Sequence, residues 1–436
     1  MSLRSYLLAG LLLCHASGAL GVMAPYAQPQ LQIKAAGEKQ PANVPLQQFI
    51  QQVWQKSPAV QAAQAAIDAA QARARGAGRA LHNPSLELEA ERSDINTTTV
   101  GISQTIDWSG KQDVVSKSAL IDVQATKANL TSVRQQMAVK TLAALADVLA
   151  AQAQRDLALM RSQLMKRFVD TVSQRFEAGD TSSLDRALAK VAYSEALIQQ
   201  ATSEGALAEA QAILVAETGL SADAWPKLPQ TLEPPSEQYQ AENLLNRLPA
   251  LQAQQLQWQQ AKQEIRMAER LGRADPTIGI RGGREGSENL LGLSLEIPLF
   301  VRNNFNAEVE AASKQSIEAE FIYRNAYQMA KAKLDSAWGR FHHASRAIKA
   351  WALTGQAAHA EQAQLIEQLW KSGELSASDY LIQAKQNIDT HSAVVSLIAE
   401  VWRAHFAWLE ASGQVEQWLG LTANSAIDTT DSGVSQ

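Results

Sequence analysis

The sequence predicts a mainly α-helical protein with a small β-barrel part, built from two copies of one helix–strand–strand–helix–helix unit. Three observations carry that expectation: motifs that recur in the same order about 190 positions apart, a run of 68 residues without Gly or Pro, and four short segments in which apolar and polar residues alternate.

The recurrences are collinear. Asn83-Pro84-Ser-Leu-Glu-Leu returns as Asp275-Pro276-Thr-Ile-Gly-Ile, Val100-Gly-Ile-Ser as Leu291-Gly-Leu-Ser, and Phe176-Glu-Ala-Gly179 as Trp370-Lys-Ser-Gly373. One such pair is within chance; three in order argue for a duplication. The chain divides accordingly into a leader at 1–24, an N-terminal linker at 25–45, a first repeat at 46–218, a linker at 219–241, a second repeat at 242–415 and a tail at 416–436. The inter-repeat linker is marked by Trp225-Pro-Lys-Leu-Pro229 and Glu233-Pro-Pro235, which break helices and are expected to pack as a belt on them.

The leader reads as a secretory signal. Arg4 supplies the positive start, Tyr6 to Leu13 the short apolar core, and small residues permit cleavage after Ala19 or Ala24. Cys14, the one cysteine, lies within it, and Leu13 before it fits a lipoprotein signal poorly. Past the leader there are no thiols, which excludes a disulfide framework and thiolate metal sites.

Each repeat opens with a helix, expected at 46–80 and 242–272. In each, two strands are followed by a very long helix, a turn and another long helix. From 111 to 178 there is neither Gly nor Pro, so one helix there reaches ~100 Å, a length suited to a coiled coil or helical tube. Return helices are expected at 182–218 and 376–412. Leu142, Leu145, Leu149, Leu157, Met160 and Leu164 recur at helical spacing and read as core.

The alternating segments lie at 84–92, 98–108, 276–284 and 289–299. In the first, Leu86, Leu88 and Ala90 oppose Glu87, Glu89 and Glu91; in the last, Leu291, Leu293, Leu295 and Ile297 oppose Gly292, Ser294 and Glu296. Each has roughly the 9–11 residues that a tilted strand needs to cross a bilayer. Trp108 and Phe300 fall at strand ends, where an aromatic girdle would sit. Four strands cannot close a barrel, and lipid forbids open edges. Two copies would give an eight-stranded barrel filled by side chains, whereas three give twelve strands and room for water.

In this order the elements resemble the TolC-type outer-membrane efflux proteins over about 46–415. Asn83-Pro84 and Asp275-Pro276 open strands, Ile297-Pro298-Leu299-Phe300 leads towards a helix, and turns follow at Gly179 to Asp185 and Gly373 to Asp379. The resemblance implies a homotrimer in the outer membrane, with a twelve-stranded barrel, a long α-helical barrel reaching into the periplasm, a periplasmic membrane-fusion adaptor and an inner-membrane pump. The segments 275–286 and 291–304 resemble the cobalt–zinc–cadmium branch, which serves pumps of the resistance–nodulation–division class. Export of drugs or polypeptides by the same fold is the alternative, and a soluble periplasmic coiled-coil scaffold the rival from another class.

The site residues follow from these readings. Gly179, Asp180, Thr181, Gly373, Glu374 and Leu375 form the two tip turns, where the resemblance places adaptor contacts. Asp185 and Asp379 cap the helices that follow or line a gate; the second acid that the family carries three positions on is absent, since Leu188 and Ile382 stand there. Gly110 and Pro298 are expected to swivel the chain from strand to helix. Glu87, Glu89, Glu91 and Glu296 are expected to face a lumen, with Arg281 opposing them, and to give it mild cation preference. No cofactor and no metal site is expected: His82, His342, His343, His359, His391 and His405 are scattered, and no catalytic or phosphate-binding motif occurs. The net charge of −5 offers no basic surface for nucleic acid.

Overall fold

Two prolines break what the periodicity reads as single helices. The computed structural model describes residues 31–33, 43–236 and 239–421; the expected leader, most of the 25–45 linker and the tail beyond 421 lie outside them. In place of one helix at 46–80 the chain forms α1 (Val44–Lys56) and α2 (Pro58–Ala77). Ser57 takes an extended ψ of 119° because a following proline disfavours helical backbone, and Pro58 opens the next helix, where its missing N–H costs nothing. The second copy repeats the break: α5 (Ala241–Leu245) and α6 (Pro249–Leu271) replace 242–272, with Leu248 at ψ 117°.

The long helix α3 (Lys111–Glu177) runs for 67 residues, ~100 Å. Gly110 before it is left-handed, at φ 69°. Its free N–H groups are met from upstream, where the Asp107 carboxylate accepts from the amides of Lys111 and Gln112, each at 2.8 Å. The return helix α4 (Ser183–Thr218) ends at left-handed Gly219. In the second copy the long helix is interrupted. After α7 (Asn306–Ala350) a π-helical turn spans Trp351–Gly355 before α8 (Gln356–Ser372) and α9 (Ala377–Ser412). The Trp351 indole lies where a Cβ on Gly355 would be, so the glycine makes room for the bulged ring.

Shorter helices cover the long ones end to end. α2 lies on the strand-proximal part of α3, with Val60 and Ile67 against Leu130 and Arg73 paired to Asp122 at 2.9 Å. α4 covers the remainder, where Lys140 meets Glu217 at 2.6 Å. In the second copy Trp258 on α6 stacks on Tyr323 of α7, and Lys333 and Arg340 of α7 pair with Glu410 and Glu400 of α9.

The largest core lies midway, around Phe49, Leu142, Leu214, Phe341, Trp402 and Phe406. The expected linkers take part in it. β1 (Gln32–Ile33) pairs in parallel with β4 (Thr231–Leu232), Leu31 and Leu232 are buried, and Trp225 and Leu228 pack on the cluster. Beyond the second repeat, α10 (Val415–Trp418) buries Val415, and Leu419 follows it into the core.

The remaining strands form one antiparallel sheet in the order β2 (Ser85–Glu91), β3 (Thr97–Thr105), β5 (Thr277–Glu285), β6 (Glu288–Glu296). β3 and β5 join the repeats through nine register pairs, from Thr97 opposite Glu285 to Thr105 opposite Thr277.

Candidate functional site

The sheet has two unlike faces. Its register places Leu86, Leu88, Val100, Ile102, Ile278, Ile280, Leu293 and Leu295 on one side. They are exposed: Leu88 keeps 73% of its surface and Leu293 81%. A contiguous apolar face of this size on a folded chain marks a surface meant for another apolar phase. Trp108 (79% exposed) follows β3, and Phe300 packs edge-on against Phe305 at 5.4 Å beyond β6.

The opposite face is polar and hydrogen-bonded. Ser103 Oγ donates to Glu87 Oε1 at 2.6 Å, Thr99 Oγ1 to Glu89 Oε2 at 3.3 Å, and the Thr105 and Thr277 hydroxyls lie 2.8 Å apart. Arg281 reaches Glu89 at 3.7 Å. By the same register Glu91 and Glu296 share this face, as do Glu285 and Glu288, two acids that sequence reasoning missed. Their signal was the alternation itself, carried one residue beyond each expected segment. β2 and β6 are the outer strands, each paired on one side only among the described residues.

At the strand–helix border, Asp275 ties the two repeats together. It accepts from Ser109 Oγ at 2.9 Å and from Lys111 Nζ at 2.8 Å, while an Arg270 guanidinium N–H donates to the Gly110 carbonyl. Gly110 therefore sits in a clamped turn. Pro298 lies two residues past the end of β6, but the left-handed turn that opens α7 is at Phe305, φ 60°. The side chains of Asn303 and Asn304 accept from the amides of Phe305 and Asn306, which is how a residue with a Cβ is held there. In the second copy the change of direction thus spreads over nine residues, 297–305, Pro298 among them.

The two tip turns are built alike. Gly179 (φ 84°) and Gly373 (φ 80°) are left-handed, and the amides of Asp180 and Glu374 donate back to Arg175 and Leu369 at 2.8 and 3.0 Å. This is the Schellman closure of a helix. Ser182 and Ser376 then accept from the Asp185 and Asp379 amides at 3.0 and 3.1 Å. The Asp185 carboxylate accepts from the Ser182 hydroxyl and amide and from Thr181, and these bonds hold its pKa below the usual carboxylate range. Leu375, partly buried, packs against the tip-side core. Leu188 and Ile382, where a second acid would stand, are exposed.

Sequence reasoning missed what binds the tips to each other. Phe168 on α3 meets Trp370 and Tyr380 at 5.5 and 5.3 Å, Trp370 stacks on Tyr380 at 4.7 Å, and the Arg175 guanidinium lies 4.2 Å over Trp370. Arg161, its side chain 8% exposed, sits between Gln199 and Glu195 of α4 and Asp389 of α9, and Lys385 also pairs with Glu195. A lone arginine in a helix carries no local signal of such a role.

Among the described residues no group of three or more His, Cys, Asp or Glu side chains is placed to hold a metal ion. His405 is buried among Phe341, Trp402, Phe406 and Trp418 with no hydrogen-bond partner for either ring nitrogen, and burial lowers its pKa to about 3.

The family model for outer membrane efflux proteins matches residues 49–220, which is the first repeat. No curated protein matches the sequence. Among solved structures, a membrane protein from Pseudomonas aeruginosa aligns with TM-score 0.71 at 16% identity, covering 89% of this chain and 100% of that one. The outer membrane protein VceC from Vibrio cholerae aligns with TM-score 0.63 at 18% identity, over 84% and 96%. The open state of the MtrE outer membrane channel from Neisseria gonorrhoeae aligns with TM-score 0.67 at 17% identity, over 85% and 89%. At such identities the likeness is one of fold. The chain therefore shares its fold with outer-membrane channels, and its first repeat matches the outer membrane efflux protein family directly.

Proposed function

We propose that this chain is the exit duct of a tripartite efflux system, three copies of which close a twelve-stranded barrel in the outer membrane and extend a helical tunnel into the periplasm. One observation carries the reading: a four-stranded sheet with two edges unpaired among the described residues and an exposed apolar face, set at the end of a ~100 Å helical body. All its pairings are antiparallel, so β2 and β6 run in opposite directions. Placing β6 of one copy beside β2 of the next continues the ladder without a defect, and a ring of copies removes every edge. The apolar face then meets lipid and the polar face meets water.

The tip turns at Gly179 to Thr181 and Gly373 to Leu375 are the docking points for a membrane-fusion adaptor, behind which stands an inner-membrane pump. Asp185 and Asp379 cap their helices and take part in closing the mouth. The cargo is heavy-metal cations, driven by a resistance–nodulation–division pump; the excess of glutamate on the polar face supports passage of cations over anions. Export of drugs or polypeptides is the competing cargo.

Fractionation and native mass measurement test the architecture. The expected result is a trimer extracted by detergent from outer membranes; recovery as a soluble periplasmic monomer overturns it. A deletion strain that becomes sensitive to divalent metal salts but not to drugs supports the cargo, and the reverse pattern overturns it.

A further inference from the structure

We propose that Arg281 sets the charge preference of the bore, as a mid-bore cation on a face otherwise charged by glutamates, and so keeps divalent cations from being retained. The inference rests on the reading that the polar face lines a water-filled bore. The register sorts that face into rows. Nearest the helices lie Thr105, Thr277 and Glu296; next come Ser85, Ser103, Gly279 and Ser294. The middle row holds Glu87, Gly101, Arg281 and Gly292, followed by Glu89, Thr99, Gly283 and Leu290. The hairpin ends bring Glu91, Thr97, Glu285 and Glu288. Six glutamates thus stand on the face, and Arg281 is its one cation among the described strand residues. Arg284, the other arginine of β5, falls on the opposite face, opposite Thr98 and Asn289.

Arg281 is also held in place. Both of its register neighbours are glycines. A Cβ on Gly101 would lie 3.1 Å from the Arg281 Cβ, and one on Gly292 would lie 3.0 Å from its Nε and 3.1 Å from its Cγ. The stem therefore lies along the sheet over Gly292 and the guanidinium is directed to Glu89 at 3.7 Å. The missing side chains are what let a long cationic residue lie flat mid-bore and leave the passage open. Conduction needs an ion to be attracted enough to enter and held weakly enough to leave. Acidic rows alone would satisfy the first condition and fail the second for a doubly charged ion; three arginines midway lower the well.

The test is planar-bilayer recording of the purified oligomer in a KCl gradient at low salt, with Zn²⁺ as the divalent probe. Arg281→Gln is expected to raise the cation-to-anion permeability ratio about threefold or more, an effect that shrinks in 1 M salt. It is also expected to lower the Zn²⁺ concentration that halves the monovalent current. Arg281→Lys keeps the charge and retains wild-type selectivity, Glu89→Gln shifts the ratio the opposite way, and Gly292→Ala, by displacing the guanidinium, gives a partial R281Q phenotype. Native mass confirms that each variant assembles. An assembled R281Q oligomer that conducts with an unchanged ratio and unchanged Zn²⁺ block overturns the role of Arg281 and leaves the channel standing. Assembled proteins that never conduct, wild type included, overturn both.

Discussion

Ser182 and Asp185 show how much of the tip is explained by helix chemistry alone. Their reciprocal hydrogen bonds satisfy amides that α4 would otherwise leave bare, so Ser182→Ala should cost about 1 kcal/mol in a denaturation midpoint. The Asp185 pKa is lowered in the folded chain, so its contribution is fully present above the unfolded carboxylate value and is lost as pH falls through the folded one. Melting temperatures taken between pH 6 and pH 3 should therefore fall more for the wild type than for Asp185→Asn. His405 works through the other sign. It stays neutral in the fold down to about pH 3 while the unfolded chain protonates near pH 6.5, so acidification favours unfolding by up to ~1.4 kcal/mol per pH unit in that window. His405→Leu should flatten that dependence, read by chemical denaturation at pH 7, 6, 5 and 4. The capping role of Ser182 and Asp185 was legible, because S-x-x-D after a glycine has a local cause. The clasp of Phe168, Trp370 and Tyr380 was not, since three aromatics on three helices share no sequence window.

At the scale of elements, periodicity located the long helices and the return helices closely, with α4 and α9 starting one residue from the expected positions. It failed where one proline overrules an unbroken apolar pattern: Ser57-Pro58 and Leu248-Pro249 divide helices whose stripes run on across the break. It also failed at the π turn, whose cause is the fit of the Trp351 ring against Gly355. Gly110 illustrates what a turn demands of its residue. A Cβ there would meet the Arg270 guanidinium at 3.0 Å, and φ is 69°. Gly110→Ala should thus lower stability by about 1–2 kcal/mol. Gly205, inside α4 with nothing within 4 Å, is the control: Gly205→Ala should raise stability by about 0.5–1 kcal/mol. Thermal melts of the two variants, side by side, separate strain from propensity.

For the molecule as a whole, the alternation of four short segments was enough to anticipate a sheet with one apolar face, and the rule against open edges in lipid supplied the need for further copies. What the alternation could not give was strand order, because the pairing of β3 with β5 depends on how two distant helices bring their hairpins together. The two faces make opposite predictions for one substitution. Leu293→Arg places a charge on the apolar face at a cost of ~2–4 kcal/mol near a bilayer midplane. It should abolish the detergent-extractable trimer, whereas Ser294→Arg, one residue on, should leave it; gel mobility of unheated membrane extracts reads the difference.

That β3–β5 seam also fixes a sequence of events. The first hairpin is complete by Thr105, yet its lateral neighbour begins at Thr277, and at ribosomal speeds of ~5–20 residues per second the wait is on the order of ten seconds or longer. Throughout that interval a greasy ribbon with bare backbone on both flanks stands in water, an invitation to clump.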